Sequence, residues 1–316
     1  MAQFTWTFDT PAGPVKTHKI SRTVYRAAIA KTVFMDHVKV KPALGRNSGE
    51  TVTLLRTSAM TEQVDYDLVE TVDIPERAFA MSTIGITVRE VGSAVPYTML
   101  SSELDTMDVE GQIRENLSDE ESLMLDTKAA AAMKLGRIKF AVTGSTTQSI
   151  TTNGVFGATS TANMNVAQVK VIKDYLYATL KAKPAEGGDY VGIFNHQSIR
   201  GLMDDPTWEE WHKYTDPTAM FNAEVGRIEQ VRFIDTNHDR AAARVGTGGV
   251  LGEGFVFGKE AIAFALAKEL GTYVTPPQGH AGRFRAISWY GIIGFRMIWE
   301  DSANPGEANS VHVGSL

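Results

Sequence analysis

The clearest pattern of apolar and polar positions lies between residues 108 and 136 and predicts a long α-helix. Asp108 is a suitable N-terminal cap, and Gly136 is a residue type at which helices commonly end. Acidic residues crowd the first half and basic residues the end, which is the order that the helix dipole favours. At about 1.5 Å per residue, a helix of roughly 28 residues spans about 40 Å. Apolar residues recur at spacings of four and seven: Val109, Ile113, Leu117, Met124, Ala131 and Leu135.

A second pattern, of period two, predicts a β-ribbon before this helix. Ile84, Ile86 and Val88 alternate with small or polar residues, as expected of a half-buried strand. Residues 51–56 are rich in strand formers and supply its partner strand. A ribbon with so long a connection cannot bury its apolar face alone, so the pattern implies a partner surface. The connection carries six carboxylates: Glu62, Asp65, Asp67, Glu70, Asp73 and Glu76.

The other segments alternate between helical and strand-like patterns, which is typical of an α/β region. Residues 21–38 are compatible with a helix, whereas residues 143–163 are rich in Ser and Thr and predict a loop or linker. A long strand-like run with glycines at 291 and 294 covers residues 283–299. The elements predicted between them are a helix over 165–181, a strand over 190–194, a helix from Asn195, a strand over 231–234, a glycine-rich loop at 246–249, a strand at 255–257 and an alanine-rich element at 261–267.

Composition narrows the class of protein. The 316 residues are 43% hydrophobic and include no cysteine. There is enough apolar material for a substantial core, and disulfides, thiolate catalysis and cysteine-bound zinc are excluded. Length alone suggests about two domains or one large elaborated domain. The longest near-apolar stretch, residues 286–295, is too short to cross a bilayer, and the N-terminus lacks the features of a secretory signal. We therefore expect a soluble intracellular protein without membrane contact.

The net charge of −6 hides a strong segregation of charge along the chain. Residues 1–46 hold eight Lys or Arg and two Asp, a net charge of +6, whereas residues 47–127 hold seventeen acidic residues and four Arg, a net charge of −13. Two interpretations stay open: solvated faces of one domain, or a basic arm that docks on the acidic block of a neighbouring copy. Nucleic-acid binding by the arm is a weaker alternative, because no aromatic ladder or recognised module accompanies its charges.

The sequence contains no recognised catalytic motif, and we predict no catalytic, cofactor-binding or metal-binding residue. No two of the seven His lie within four residues, and the glycine-rich segment matches neither a dinucleotide fingerprint nor a phosphate loop. Asp235 and His238 could form a carboxylate–imidazole pair, which is a weak hydrolase hypothesis. Trp208 and Trp211 lie one helical turn apart among acidic residues. Two roles stay open for these tryptophans, contact between subunits and packing within a domain.

Several short segments, in chain order, resemble parts of one protein family. They begin with RNSGETV at residues 46–52, LSSEL at 100–104 and LDT at 125–127. They continue with YVGIFNHQSIRGLMDDPTWEEWHKY at 190–214, GRIEQVRFIDTNH at 226–238 and FVFGKEAIAFAL at 255–266, followed by the turn at 276–279 and the final long strand. In this order they are similar to the major capsid proteins of tailed bacteriophages with the Hong Kong 97-type fold.

The resemblance implies an α+β fold with an N-terminal arm, an extended β-hairpin loop, a long spine helix, a peripheral domain and an α/β axial domain. It covers nearly the whole chain. No residues match the set that crosslinks one member of the family covalently, so crosslinking is not implied. The expected boundaries are 1–46 for the arm, 47–95 for the extended loop, 96–150 for the spine helix and peripheral domain, 151–269 for the axial domain and 270–316 for the return strand of the peripheral domain.

The implied function is that of a structural protein, which assembles as hexamers and pentamers into the icosahedral head of a tailed phage around double-stranded DNA. Implied partners are further copies of the chain, a separate scaffolding protein, a portal protein, a decoration protein and non-specifically packaged DNA, in a virion assembled in the bacterial cytoplasm. A cellular nanocompartment shell of the same fold, a tail or head-decoration protein and, more distantly, a hydrolase remain alternatives. Residues predicted to contact neighbouring subunits are Lys16, Lys19, Arg22, Arg26, Arg56, Glu62, Asp65, Asp67, Arg77, Trp208 and Trp211.

Overall fold

A computed structural model describes most of the 316 residues. The described ranges are 28–41, 49–58, 60, 62, 66–68, 70, 73–74, 76–100, 108–185, 187–212, 224–243, 252–299 and 307–316. The four basic arm residues Lys16, Lys19, Arg22 and Arg26, together with Asp65 and the glycine-rich loop 246–249, lie outside them.

The described elements are thirteen strands and four α-helices. The strands are β1 (Lys39–Lys41), β2 (Thr51–Thr57), β3 (Met81–Thr87), β4 (Arg89–Thr98), β5 (Lys139–Val142), β6 (Gln148–Thr151), β7 (Tyr190–Asn195), β8 (Glu224–Ile228), β9 (Val231–Thr236), β10 (Gly252–Phe257), β11 (Ile262–Val274), β12 (Phe284–Met297) and β13 (Ser310–Ser315). The helices are α1 (Val109–Lys134), α2 (Val166–Asp174), α3 (His196–Met203) and α4 (Pro206–His212).

The larger sheet has seven strands in the order β6-β5-β13-β10-β7-β9-β8. Every residue of β7 is buried, and β7 pairs in parallel with β9 and antiparallel with β10. Helix α2 packs Val169 and Ile172 against this sheet, where Tyr190, Phe194 and Phe233 form the centre of the core. A capping box starts α2, and a π-helical turn at Tyr175–Thr179 extends it. The predicted strands and helices of the α/β region are thus confirmed.

The second sheet has four strands in the order β1-β11-β12-β4. It carries α1, whose Leu117 packs with Tyr97, Ile287 and Trp289 in one buried cluster. Asp108 caps the helix by accepting a hydrogen bond from the backbone N–H of Gly111. The predicted long helix and the predicted final long strand are both confirmed by α1 and β12.

Strands β2 and β3 form a separate two-stranded antiparallel hairpin in which Leu54 lies opposite Ile84. One face of its base packs on the four-stranded sheet through Ile86, which is fully buried. A Cβ atom at Gly294 of β12 would lie 2.6 Å from the carbonyl oxygen of Thr87. Glycine at this position therefore lets the end of β3 approach the sheet closely. The predicted β-ribbon is confirmed.

Two local predictions were wrong. Residues 28–34 have no regular structure and Met35–His37 is a single 3₁₀ turn, so the described part of 21–38 is not an α-helix. The N–H groups that would continue a helix there donate instead to a side chain of α1, as detailed below. The predicted loop 143–163 contains β6, which pairs with β5 at the edge of the sheet. Its Ser and Thr side chains suit a half-exposed edge strand. Without an apolar alternation, the sequence pattern does not distinguish this strand from a loop.

The domain boundaries expected from the sequence do not coincide with the limits of the two sheets along the chain. The boundary at 150/151 falls within β6, and the boundary at 269/270 falls within β11. Strand β13 was expected in the peripheral domain, but it lies in the seven-stranded sheet between β5 and β10. All six of its residues are buried, so it needs sheet partners on both sides. The two sheets therefore interleave along the chain.

Candidate inter-subunit surfaces

The hairpin exposes apolar side chains on the face that points away from its own body. Leu55 and Met81 are 70% and 55% exposed, whereas Ile84 on the other face is 6% exposed. The described part of the connection continues this surface. Seven of the sixteen large apolar side chains that are exposed in the described ranges lie here: Leu55, Met60, Tyr66, Leu68, Ile74, Phe79 and Met81. So dense a group of exposed apolar residues is typical of an interaction surface.

The structure places Arg56 within its own chain. The side chain is 9% exposed; its Nε donates to Oγ of Ser82 at 2.8 Å and its Nη1 donates to the carbonyl oxygen of Ile298 at 3.2 Å. It therefore ties the hairpin to the residues that follow β12. These bonds use donors of the Arg56 guanidinium within its own chain, and its contact with a neighbouring subunit stays a prediction.

The other predicted contacts on the connection lie at the surface. Glu62, Asp67 and Arg77 are all exposed. Exposure makes their side chains accessible to a neighbouring copy, and their role in such a contact stays a prediction.

Trp208 belongs to the core of the seven-stranded sheet. It is 6% exposed and meets the ring of Phe233 edge-on, with ring centroids 5.5 Å apart. Of the two roles left open for it, the structure supports packing within the domain. The side chain of Trp211 lies outside the described residues.

A buried carboxylate that the sequence did not single out connects three parts of the chain. Asp126 of α1 is fully buried; its Oδ1 accepts hydrogen bonds from the backbone N–H groups of Val33 and Phe34 at 3.0 and 2.7 Å. Its Oδ2 lies 3.0 Å from Nδ1 of His238, whose Nε2 lies 3.3 Å from Oγ1 of Thr127. Asp126 thereby joins the segment before β1 to α1 and to the loop after β9.

The same segment makes two further hydrogen bonds, one to the last residue of β9 and one to the loop that follows it. The backbone N–H of Lys31 donates to Oδ1 of Asn237 at 2.7 Å, and Oγ1 of Thr236 donates to the carbonyl oxygen of Lys31 at 3.0 Å. Residues 31–34 are therefore held on the body from both sides.

The arrangement separates the residues of the hydrolase hypothesis. Asp235 pairs with His196 at 2.8 Å, and Asp239 accepts a hydrogen bond from the amide of Asn195 at 3.3 Å. His238 is 6% exposed and faces Asp126 instead. The expected Asp235–His238 pair does not form, because Asp235 lies in β9 and His238 in the loop after it, and their side chains point to different elements.

A second buried charge cluster lies at the end of α1. Nζ of Lys134 lies 2.6 Å from Oε2 of Glu253, and the backbone N–H of Ala243 donates to the same oxygen at 2.8 Å. Nε2 of His312 lies 3.6 Å from Oε1. Burial alone would raise the pKa of Glu253, but the bonds from His312, Lys134 and Ala243 outweigh it and lower the pKa from 4.5 to about 2.

His312 is held neutral in this cluster. Burial is the main cause of the lowered pKa of its imidazole. Its Nδ1 lies 2.8 Å from Nζ of Lys139, and because an ammonium can only donate, this nitrogen accepts. The ring stacks on Phe255 with centroids 4.7 Å apart. The cluster thus fixes β13 against β10, β5 and α1.

The described ranges were examined for clustered metal-ligand side chains and for long apolar helices. Within them, no group of three or more His, Asp or Glu side chains is arranged to hold a metal ion. No helix in the same part of the chain combines the length and apolar composition that a membrane-spanning helix requires.

Comparison with known proteins identifies the fold. No protein-family model matches the chain, and no curated protein sequence matches it. Solved structures do match over the whole chain. The head structure of Helicobacter pylori bacteriophage KHP40 has a TM-score of 0.70 at 14% identity, with 100% of this chain and 99% of that chain covered. The capsid asymmetric unit of cyanophage Pam1 has a TM-score of 0.69 at 14% identity, with the same shares covered.

A third match extends this similarity to another host. The capsid of Ralstonia phage GP4 has a TM-score of 0.68 at 13% identity, with 99% of this chain and 98% of that chain covered. The chain therefore has the Hong Kong 97-type capsid fold, which confirms the fold expected from the sequence motifs.

Proposed function

We propose that a chain with this fold is the major capsid protein of a tailed bacteriophage. Copies assemble as hexamers and pentamers into an icosahedral head that encloses double-stranded DNA. The observation that carries the proposal is the apolar surface of the hairpin, together with a capsid fold over the full chain length. Only a second macromolecular surface can remove these side chains from water, and a closed shell supplies one to every copy.

The hairpin is the main element of contact between copies in this proposal. It lies over the spine helix and the four-stranded sheet of a neighbouring subunit, with Glu62, Asp67 and Arg77 among the contacting residues. Obligate interfaces of this kind bury roughly 2,000–5,000 Å². Burial on that scale explains how a two-stranded hairpin with one solvated face persists, since an isolated hairpin is marginal in water.

Charge supplies a second set of contacts. The basic arm, with Lys16, Lys19, Arg22 and Arg26, pairs with the acidic block of an adjacent copy. The net charge of the whole chain is −6, and a negative wall suits a container for DNA. A uniformly basic wall would bind the phosphates of the genome electrostatically, and we expect contact of this wall with the packaged DNA to be non-specific.

The proposal implies several partners and a place of assembly. A scaffolding protein guides assembly in the bacterial cytoplasm, a portal protein occupies one vertex, and a decoration protein binds the finished head. The protein acts without catalysis or a cofactor. The finished location is the virion.

A nanocompartment shell that encloses enzyme cargo is the nearest alternative, because it uses the same fold. Genomic neighbours separate the two functions: portal and terminase genes accompany a phage capsid, and a cargo-enzyme gene accompanies a compartment. A tail or decoration protein would form tubes or bind preformed shells. A hydrolase is disfavoured, since Asp235 and His238 face different partners.

Electron microscopy of the expressed full chain tests the proposal directly. We expect closed shells, made of hexamers and pentamers, when the chain is expressed with its scaffolding protein. The shells should contain no enzyme cargo. A chain that remains a compact monomer under every assembly condition would contradict the proposal, and a cargo enzyme inside the shells would favour the compartment.

A further inference from the structure

Residues 31–41 form a strap that touches both sheets. The strap begins at Lys31, whose backbone is bonded to Oγ1 of Thr236 at the end of β9 and to the side chain of Asn237 just after it. It ends as β1, which pairs in parallel with residues 263–265 of β11. One short segment therefore links the seven-stranded sheet to the four-stranded sheet.

The middle of the strap is buried between β10 and α1. Val33 and Phe34 both belong to the core here, and the ring of Phe34 meets the ring of Phe255 edge-on, with centroids 5.6 Å apart. Alanines 129 and 130 of α1 are fully buried in the same cluster. Their small side chains let the backbone of the strap lie close to α1, where Asp126 reaches its N–H groups.

Two short covalent connections also join the sheets. Residues 135–138 lead from α1, which is packed on the four-stranded sheet, into β5 of the seven-stranded sheet. Residues 258–261 lead from β10 into β11. Connections of this length commonly act as hinges, because a few residues at the ends of elements can absorb the rotation of the bodies that they join.

Asp126 and His238 bridge the same two bodies at a distance from the connection 135–138. Asp126 lies nine residues before the start of this connection, which corresponds to about 14 Å along α1. His238 follows β9, which is four strand spacings, or about 19 Å, from β5. With a lever of about 14 Å, a rotation of about 10° would displace Asp126 by about 2 Å, which is more than a hydrogen bond tolerates.

A single carboxylate completes this bridge. One oxygen of Asp126 accepts hydrogen bonds from the backbone N–H groups of Val33 and Phe34, and the other lies 3.0 Å from Nδ1 of His238. The strap and the end of β9 are thus held on α1 by the same side chain. Bonds to a charged acceptor are among the stronger hydrogen bonds in proteins, and loss of this carboxylate would remove all three contacts at once.

We propose that Asp126, His238 and residues 31–34 form a latch that fixes the angle between the two sheets. When the latch is broken, the sheets rotate relative to each other about the connections 135–138 and 258–261. The inference concerns the single chain and goes beyond the proposed shell function. A closed latch gives all free subunits one shape, whereas a broken latch gives a range of shapes.

Distances between spin labels measure this angle in the unassembled full chain. The chain contains no cysteine, so Ala178→Cys and Thr272→Cys create two defined label sites. Ala178 lies on the π-helical turn, which packs on the seven-stranded sheet, and Thr272 lies in β11; both residues are exposed. We expect one narrow distribution of distances in this labelled chain.

Two variants of the labelled chain break the latch in different ways. Asp126→Ala releases the strap and His238 from α1. Thr236→Val/His238→Ala leaves the strap bonded to Asp126 but removes bonds from the end of β9 to both. Each variant should broaden the distribution by about twofold or more, with circular dichroism showing that the chain is folded. The second variant carries the test if Asp126→Ala does not fold.

Two controls separate the latch from a general loss of stability. Asp126→Asn keeps an oxygen acceptor for the strap and an amide group that donates to Nδ1 of His238, so the distribution should stay narrow. Ile172→Ala removes a buried side chain from a core cluster other than that of the strap, and should also leave the distribution narrow.

Each outcome decides the proposal. Narrow distributions in both folded latch variants would overturn it, and so would equal broadening by Ile172→Ala, because the angle would then follow general stability. The label pair Ala178→Cys/Glu209→Cys lies within the body of the seven-stranded sheet and should stay narrow in every variant. Broadening of this pair would place the motion inside that body and overturn the latch. The measurement needs no shells, so a chain that fails to assemble contradicts the proposed function alone.

Discussion

Asp126 illustrates how one carboxylate can organise a large subunit. It has no exposed surface, yet both oxygens are satisfied by two backbone N–H groups and by His238. A buried carboxylate is tolerated only with such partners. The two backbone donors also explain why residues 31–34 are not helical, since Asp126 takes the place of the carbonyl acceptors of a preceding turn.

Replacement of Asp126 should therefore destabilise the unassembled subunit strongly. Asp126→Ala leaves the N–H groups of Val33 and Phe34 and the imidazole of His238 without their acceptor, and should lower the free energy of unfolding by about 3–4 kcal/mol. Denaturant unfolding measures the loss. Amide hydrogen exchange at Val33 and Phe34 should accelerate in the same variant.

The exposed residue Glu120 of the same helix supplies the control for this change. Glu120→Ala should alter the free energy of unfolding by no more than about 0.5 kcal/mol. Equal stability of the two variants would contradict the role assigned to Asp126.

Glu253 predicts a dependence of stability on pH. Its pKa is lowered from 4.5 to about 2, so its stabilising contribution is complete above pH 4.5 and is lost as the pH falls towards 2. Glu253→Gln should reduce the free energy of unfolding at pH 7 by about 2 kcal/mol, a value discounted for partial solvent screening. The difference between variant and unmodified protein should shrink as the pH falls from 4.5.

Acid unfolding followed by fluorescence at several pH values measures this difference. Glu209→Gln, at an exposed position, is the matched control and should show no such trend. His312 adds to the loss in acid, because its lowered pKa means that its contribution declines as the pH falls below 6.5. A Glu253→Gln variant whose deficit is the same at pH 7 and pH 3 would contradict the assignment.

Sequence patterns could not predict buried polar contacts of this kind between distant elements. Asp126 and His238 are separated by 112 positions, and His238 sits in a polar run that suits an exposed residue. Trp208 shows the same difficulty, since acidic neighbours on α4 conceal a side chain that packs on Phe233. Periodicity reports which face of an element is apolar, but it carries no information on which distant element a polar side chain meets.

At the scale of elements, the hairpin has two faces with different tasks. Its inner face, with Ile84 and Ile86, joins the core of its own chain. Its outer face, with Leu55 and Met81, remains exposed. Because successive side chains of a strand point to opposite faces, the buried face is separate from the exposed face to which the proposed function assigns assembly.

Matched substitutions on the two faces should separate these tasks. Leu55→Ser removes an exposed apolar side chain and should leave the free energy of unfolding of the subunit within about 0.5 kcal/mol, while shell yield falls several-fold. Ile84→Ser places a hydroxyl in a buried site and should cost about 2–4 kcal/mol of subunit stability.

Thermal unfolding of the unassembled protein and electron microscopy of the assembly reaction provide the two readings. Normal shells from a folded Leu55→Ser variant would show that this face has no part in assembly.

Elements with strong periodicity could be predicted from the sequence, and weakly patterned ones could not. The alternation in β3 comes from burial of one face. In α1 the spacing predicted the helix but only part of its buried face, since Leu117 is buried whereas Ala131 and Leu135 are exposed. By contrast, β6 is polar because it is a half-exposed edge strand, and β13 has Ser, His or Gly at four of its six positions although all six are buried. The position of β13 between β5 and β10 depends on long-range pairing, which no local pattern encodes.

At the scale of the whole molecule, charge is segregated along the chain. The N-terminal arm carries a net charge of +6 and the following block a net charge of −13. Opposite charges on separate segments of identical chains favour head-to-tail pairing over association of like surfaces.

Reversal of the arm charge should block assembly without affecting the fold. Lys16, Lys19, Arg22 and Arg26 changed together to Glu should abolish shells, because the arm is then repelled by the acidic block. Sedimentation shows the assembly state and circular dichroism the fold. In the control variant each of the four Lys or Arg residues is replaced by the other basic residue. This variant keeps the charge of the arm and should assemble normally. Normal shells from the Glu variant would rule out docking by the arm.

The central position of β13 has a consequence for biosynthesis. Strand β13, which covers residues 310–315, lies between β5 and β10 in the seven-stranded sheet. It is translated after every other strand of that sheet. The sheet therefore cannot be completed while these residues are still in the ribosome. Chains are made at about 5–20 residues per second. Until β13 has emerged, a nascent chain therefore lacks a central strand of the seven-stranded sheet and cannot present that sheet in its finished form.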